Sequence, residues 1–413
     1  MKPNRRLDAF LTSVVFIFSC SVYSADTLKQ QKKRFQTGPY PSSIVIHDMN
    51  GDGTPEILTT DRGHLYDPRD ERPAEDYVTY LKATESMQYQ KQPQLKAGFG
   101  PYDLKLVRQP GKENPDLLVA NFMATRNRDI SLISNLGDHL FESSHFTVPD
   151  DVISYTKHKD GDGEPLFPTP GITAVDWGDF NQDGFPDFIG TGWSSDILVV
   201  ILGKPEGKFS EPVLIPCKGG PRDVVVSDLN QDGKHDAAVV CYTSGEVVIL
   251  EGDGKGTLTT VDRFSTRGSL PHKIVSADMN GDNEKDLLVT QVHGDDSVEI
   301  YFHGKEFDYP SFQEIRMDKG NRESIEHEIR DIIVSDLNSD GTLDIALACF
   351  KSTKVYVLMS KGSKNTFEYT REEYNFKEGK PRAIAAGDIN ADGKPDIAVA
   401  LWDDHQVAFL LGK

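Results

Sequence analysis

One ten-residue stretch, present in six copies, constrains this chain more than any other feature. "SDLNQDGKHD", residues 227–236, sets Asp228, Asn230, Asp232 and Asp236 at positions 1, 3, 5 and 9 of a loop that turns at Gly233. "HDMNGDGTPE" repeats the pattern with Asp48, Asn50, Asp52 and Glu56, and "GDFNQDGFPD" with Asp179, Asn181, Asp183 and Asp187. "ADMNGDNEKD" supplies Asp278, Asn280, Asp282 and Asp286, "SDLNSDGTLD" Asp336, Asn338, Asp340 and Asp344, and "GDINADGKPD" Asp388, Asn390, Asp392 and Asp396. Carboxylates crowded this closely repel one another unless a cation lies among them, and Ca2+ accepts roughly six to eight oxygens in tolerant geometry. The expectation is about six bound Ca2+ ions, one per loop.

An EF-hand begins in the same way but requires Glu at position 12 and flanking helices. Position 12 here is Thr59, Gly190, Val239, Val289, Leu347 or Val399, each inside a strand-like run. Around Asp228 the chain reads "PRDVVVSDL", the loop, "DAAVVCYTS", "GEVVILEGDG" and "GTLTTVDRF": four short β-rich runs parted by Gly and Asp turns, with no helical period. We label them strands A to D. The unit recurs along the chain, and four-stranded units of this length repeated in series are blades of a β-propeller.

"GPYDLKLVRQPGKENPDLLVANF", from Gly100, keeps the apolar flanks and the Pro-Asp exit of the loop but carries Arg108, Pro110 and Lys112 in the ligand positions. It reads as a calcium-free blade 2 and brings the count to seven. The expected fold is all-β, a seven-bladed propeller over residues 33–413 with blades starting near 42, 101, 171, 221, 271, 329 and 381. The last blade ends at strand C, "HQVAFLLG", so "KKRFQTGPYP" near the N-terminus is expected to supply its missing strand D and close the ring.

The repeat resembles the FG-GAP and VCBS type found in integrin α-subunit propellers and many secreted bacterial proteins. The Phe-Gly signature survives clearly only at Phe99-Gly100, so the resemblance rests on the acidic loops and the four-strand pattern. It implies that each loop joins strands A and B, that side chains 1, 3, 5 and 9 with the carbonyl of position 7 hold the ion, and that the calcium is structural. Blade 5 has Asn283 at the turn position, a residue that also tolerates positive φ.

The first 24 residues read as a secretory signal, with Lys2, Arg5 and Arg6 ahead of the apolar run Ala9 to Phe18. "IFSC", ending at Cys20, is a partial lipobox in which Phe18 fits poorly, so a cleaved leader is preferred to a lipid anchor. No later stretch is apolar for long enough to span a membrane, and the expected location is secreted, periplasmic or cell-surface. Cys217, Cys241 and Cys349 read as buried free thiols. The net charge of −20 is concentrated in the acidic loops and makes nucleic acid an unsuitable partner.

Six residues before each first loop Asp the chain enters strand A, where blades 4 to 7 carry Arg222, His272, Arg330 and Arg382, and blade 2 has Tyr102. Gathered at the mouth of the channel, these would favour an anionic or polyhydroxylated ligand; the alternative is salt bridging to Asp223 and Asp331. Trp193, His293, Trp402 and His405 fall at B-to-C turns of the same face, where aromatic rings could stack on sugars. Long insertions from Asp61, Asp150 and Met317 lie on that face too, opposite the acidic loops. The function expected is a non-enzymatic, calcium-stabilised scaffold recognising protein or polysaccharide. The alternative is a propeller-type polysaccharide lyase or hydrolase acting on an anionic glycan, although no catalytic pattern assigns residues to it.

Overall fold

The computed structural model describes residues 27–63, 76–85, 87–123, 128–149, 171–292, 296–317, 327–362, 366–377 and 379–413. The leader with Cys20, His293 and most of the three insertions lie outside those residues. Blade 4 shows the plan: strand A is Pro221–Ser227, B Asp236–Cys241, C Glu246–Gly252 and D Leu258–Ser265, paired in that order. The other A strands are Pro41–His47, Pro101–Val107, Ile172–Gly178, Pro271–Ala277, Ile329–Ser335 and Pro381–Gly387, each opening its own antiparallel sheet. Blade 1 divides its outer strand into Gln88–Lys91 and Leu95–Lys96, both paired with Tyr77–Glu85. Among the described residues no helix is long and apolar enough to cross a membrane.

The composition of each strand follows from its place in the blade. Strand B lies between A and C in its own sheet and is covered by neighbouring blades on both faces. All six residues of Asp236–Cys241 are therefore buried, and the sequence there is a continuous apolar run rather than an alternating one. Strand D is the outer edge, and Leu258–Ser265 is mostly exposed and polar. Seven apolar clusters hold the ring, one between each pair of neighbouring blades. Blades 4 and 5, for example, share Leu229, Val240, Ile249, Ile274 and Leu287. Truncating Ile249 to Ala would cost about 2–5 kcal/mol.

Closure needs a strand from each end of the chain. Leu28–Gln36 pairs antiparallel with Gln406–Gly412, Leu28 opposite Gly412 and Gln36 opposite Gln406, so blade 7 takes its outer strand from the N-terminal side. Phe35, Ile44, Leu81, Val407 and Phe409 then form one cluster between blades 7 and 1. The closing strand is also tied to blade 6, where the Leu28 N–H donates to Tyr374 Oη at 3.0 Å. Cys217, Cys241 and Cys349 are buried free thiols, and the Sγ atoms of Cys217 and Cys241 lie 3.7 Å apart.

Each A strand starts with an irregularity that the sequence reading did not anticipate. The A–B register shifts between Pro221 and Asp223, between Ile329 and Asp331, between Pro381 and Ala383, and at the equivalent place in the other four blades. A β-bulge inserts a residue that pairs with nothing and re-aims its side chain. The inserted residues include Tyr102, Arg222, Arg330 and Arg382, with His272 and Lys273 together in blade 5.

Acidic loops and a candidate ligand site at the channel mouth

The acidic loops join A to B, as the repeat pattern requires. In blade 4, Asp228 Oδ1 accepts the Asp232 N–H at 3.1 Å and Oδ2 the Gly233 N–H at 2.9 Å, while Asn230 Oδ1 accepts the Asp232 N–H at 3.0 Å. Gly233 has φ +81°, and Asn283 takes the same left-handed conformation in blade 5 at +68°. The position-9 acids are fully buried. Asp236 accepts the Leu229 N–H at 3.0 Å and the Gly252 N–H at 2.9 Å, which pins the loop to the end of strand C. The side-chain oxygens thus face backbone amides, and no three His, Cys, Asp or Glu side chains among the described residues are drawn around one point. The donor set is nonetheless the hard-oxygen set that Ca2+ takes. Burial first, and then the loop's own carboxylates, push Glu56 up to about 7 and Asp187, Asp286 and Asp344 up to about 6. The loops are short of positive charge.

At the opposite end of strand A, about 20 Å away at roughly 3.3 Å per residue, the bulge residues converge. Tyr102 Oη accepts hydrogen bonds from Arg222 Nη2 and, at 2.7 Å, from Arg382 Nη2. The Arg222 and Arg382 guanidiniums also lie 5.0 and 5.2 Å from the Tyr102 ring centroid. His272 Nε2 faces Arg222 Nη2 at 3.2 Å and Arg330 Nη1 at 3.3 Å. Both neighbours are donors, so Nε2 must present its lone pair and the ring proton belongs on Nδ1. The sequence-derived set Arg222, His272, Arg330 and Arg382 is therefore one cluster around Tyr102.

Pairing of these arginines to Asp223 and Asp331 does not occur. Asp223 accepts the Ile274 N–H of the next blade at 2.8 Å and receives Lys273 Nζ at 3.2 Å, and Asp331 accepts the Ile384 N–H at 2.9 Å. Those carboxylates stitch neighbouring A strands together one layer deeper in the channel. Among the described residues Arg330 alone of the four has a carboxylate partner, Glu328. Burial opposes ionisation of Tyr102, but the guanidiniums of Arg222, Arg382, Arg62 and Arg330 outweigh it and lower the phenol to about 6. Burial and then the arginines hold His272 well below its usual value, which keeps the imidazole neutral. Arg330 itself is lowered to about 10 by burial and then by Arg382.

A second ring surrounds the first. The residue after each B strand donates its N–H to the carbonyl of the residue before that blade's A strand: Arg62 to Tyr40, Phe122 to Gly100, Trp193 to Gly171, Tyr242 to Gly220, Val292 to Leu270, Phe350 to Glu328 and Trp402 to Lys380. Five of these seven side chains are aromatic. The sequence reading singled out Trp193 and Trp402 but missed Arg62, Phe122, Tyr242 and Phe350. The signal was present as the first residue after each six-residue B run that opens on Asp or Glu, and needed only the blade alignment. Arg62 lies 4.5 Å from the Trp402 ring centroid, Arg330 5.6 Å and Lys380 5.2 Å from that of Phe350, and the Trp402 and Phe350 rings meet at 6.1 Å. His405 packs edge-on against Tyr40, which in turn touches Trp402.

Fold and loops together define a seven-bladed β-propeller built on acidic A–B loops. The profile of the FG-GAP-like repeat matches residues 179–239, 228–289 and 336–399, each match running from position 1 of one loop to position 12 of the next. The chain carries FG-GAP-like repeats. No curated protein is significantly similar to it in sequence. Among solved structures it is similar to BBS1N, crystallised in complex with ARL6DN, at a TM-score of 0.60 and 12% identity over 94% of this chain and 97% of that one. A functionally unknown protein from Desulfotomaculum acetoxidans gives a TM-score of 0.54 at 10% identity, covering 85% of this chain and 94% of the other. A putative 6-phosphogluconolactonase from Bacteroides uniformis gives 0.53 at 17% identity, covering 81% and 85%. Likeness at such identities establishes the fold and nothing further.

Proposed function

We propose that this protein is a secreted, calcium-stabilised recognition scaffold without catalytic activity, and that its channel mouth binds an anionic protein or glycan. The observation that carries the reading is the convergence of Arg222 and Arg382 on Tyr102, with His272 joining Arg222 to Arg330, at the end of strand A away from the acidic loops. Four side chains from four blades meet there, and carboxylates are scarce among their partners. A cluster whose cations outnumber its own anions, Glu328 and Tyr102, attracts anions and steers them in. The acidic loops would hold about six Ca2+ through Asp48, Asn50, Asp52 and Glu56 and their equivalents, stiffening the face opposite the ligand. The two faces would then have separate duties: one takes a cation that strengthens the ring, the other takes an anion.

The test is binding of a polyanion to the calcium-loaded full chain at two salt concentrations. Arg330→Ala combined with Arg382→Ala should weaken it, and so should added salt, because exposed charges are screened over about 8 Å at physiological ionic strength. Unchanged binding in the double variant, with a large loss of thermal stability, would reduce these arginines to structural parts.

A further inference from the structure

The two rings at the mouth narrow the ligand class, and this step rests on the reading of the mouth as an anion site. The space beside the bulge residues is a small cleft of about 20 Å3, lined by Tyr102, Arg222, His272 and Arg382 together with Asp103, Asp223, Lys273 and Asp331. That volume admits about one water. No side chain of a partner protein can plug into it, so whatever binds must lie flat across the mouth.

The aromatic surface on offer is a strip over blades 6, 7 and 1, its Phe350 and Trp402 rings inclined at 75° to each other. Phe350 and Trp402 are partly exposed and in edge contact, Tyr40 extends the strip beyond Trp402, and Arg62, Arg330 and Lys380 lie against the two rings. Two of its cations already meet carboxylates, Arg330 with Glu328 and Lys380 with Asp403 at 2.8 Å, and donors remain beside them. His272 Nδ1, Arg62 Nε and Arg330 Nε are buried and have no partner among the described residues, and from the contacts on Nε2 the His272 Nδ1 carries a hydrogen. A pyranose offers its C–H faces to aromatic rings, and an acidic one adds an oxyanion for guanidinium donors.

We propose that the mouth binds an acidic sugar unit, a pyranose bearing a carboxylate or a sulfate, stacked on Trp402 beside the upright Phe350 ring, with its anionic group against Arg62 and Arg330. The full calcium-loaded chain should be titrated calorimetrically with trigalacturonate, a sulfated galactose trisaccharide, a neutral galactose trisaccharide, free acetate, free sulfate and a Glu-rich peptide, with tryptophan fluorescence followed in parallel. The expected result is binding of one acidic trisaccharide with a fluorescence change, and at least tenfold weaker binding of the neutral sugar, the free ions and the peptide. Which acidic trisaccharide binds tells carboxylate from sulfate. Trp402→Ala and Arg330→Ala should each weaken that binding tenfold or more, while Trp402→Phe, which keeps the packing, should restore much of it.

If free sulfate or the Glu-rich peptide binds as tightly as the sugars, sensitive to Arg330→Ala but not to Trp402→Ala, the sugar proposal falls and the anion reading survives. If no probe binds and Arg330→Ala changes nothing, both fall. Melting curves for each variant establish that it folds, so a loss of binding without a loss of structure is attributable to the mouth.

Discussion

In blade 2 the buried carboxylate of Asp116 meets Lys112 Nζ at 2.9 and 3.1 Å, whereas in blade 4 its counterpart Asp236 shares a loop with Asp228 and Asp232. The two carboxylates have one backbone duty in common. Asp116 accepts the Asn135 N–H at 2.8 Å and Asp236 the Gly252 N–H at 2.9 Å, each fastening its loop to the end of strand C. The same bond to strand C is made by the position-9 Asp of blades 3, 5, 6 and 7, whereas Glu56 of blade 1 takes the Met49 N–H and Asn50 Nδ2 instead; what varies among the six Asp blades is the charge at position 5. Blade 2 carries its own ammonium at position 5. The other six place a carboxylate at position 5, which in blade 4 meets Lys234 Nζ at 2.8 Å, and on the calcium proposal the remaining positive charge comes from solution.

The largest test of that contrast is removal of calcium. Sites held at ten times their Kd contribute about 1.4 kcal/mol each, so six would contribute about 8 kcal/mol, and a chelator should lower the melting temperature by roughly ten degrees or more. Calorimetric titration should count six sites. An unchanged midpoint with chelator would break the comparison, since the crowded carboxylates would then need no external cation. Blade 2 offers a sharper version. Arg108→Asp, Pro110→Asn, Lys112→Asp and Glu113→Gly together should raise the count to seven, because the backbone clamp at Asp116 is already in place and the glycine restores the left-handed turn.

Single substitutions should separate the two kinds of blade by about 1–2 kcal/mol. Lys112→Ala strips a partner from a buried carboxylate, and its cost should be the same with and without calcium. Asp232→Ala should cost stability only in calcium. If chelator leaves the Asp232→Ala penalty intact, position 5 acts through the loop's own hydrogen bonds, among them the Lys234 N–H at 2.9 Å.

Blade 1 supplies a titration test outside the loops. Asp61 is fully buried at the end of its B strand, accepting hydrogen bonds from Thr79 and Thr59, and burial pushes it up to about 7. A folded-state value above the unfolded one means stability that is complete at low pH and lost as pH rises through about 7. The melting temperature should fall between pH 5 and pH 8 for this reason. Asp61→Asn should flatten the fall and gain up to about 2 kcal/mol at pH 8. A variant with the parent's full slope would assign the pH dependence elsewhere.

Strands, blade count, ring closure and the acidic loops were legible because each is encoded locally, in a turn residue, a run of apolar residues or a fixed spacing. The mouth was legible only in part. Arg222, His272, Arg330 and Arg382 share a column in the repeat, but their meeting on Tyr102 joins residues as much as 280 positions apart, and the bulge that aims them inward leaves no mark in composition. The same holds for Asp223 and Asp331, whose partners are amides of the following blade. Lys112 was legible as the loss of a ligand and not as its replacement, because that requires knowing that Asp116 is buried.

The smallest expected effect is spectroscopic and links the mouth back to the contrast between internal and external charge. Tyr102 stands to the arginines as Lys112 stands to Asp116: a group of the chain's own that can supply the missing charge. Lowered to about 6 by Arg222, Arg382, Arg62 and Arg330 against the opposition of burial, its phenol should be ionised at pH 8. A depressed acid contributes stability above its unfolded value and loses it as pH falls through the folded one, so acidification through pH 6 should protonate Tyr102 and weaken the cluster. The measurement is the near-ultraviolet phenolate band, which should be present in the native chain at pH 8, fade below pH 6 and be absent in Tyr102→Phe. An anion seated on the same guanidiniums would compete with the phenolate and raise its proton affinity. Titrating an acidic sugar at pH 7 should therefore diminish the band while the protein takes up a proton. A native chain with no more phenolate at pH 8 than Tyr102→Phe would mean that the arginines are neutralised by something other than Tyr102.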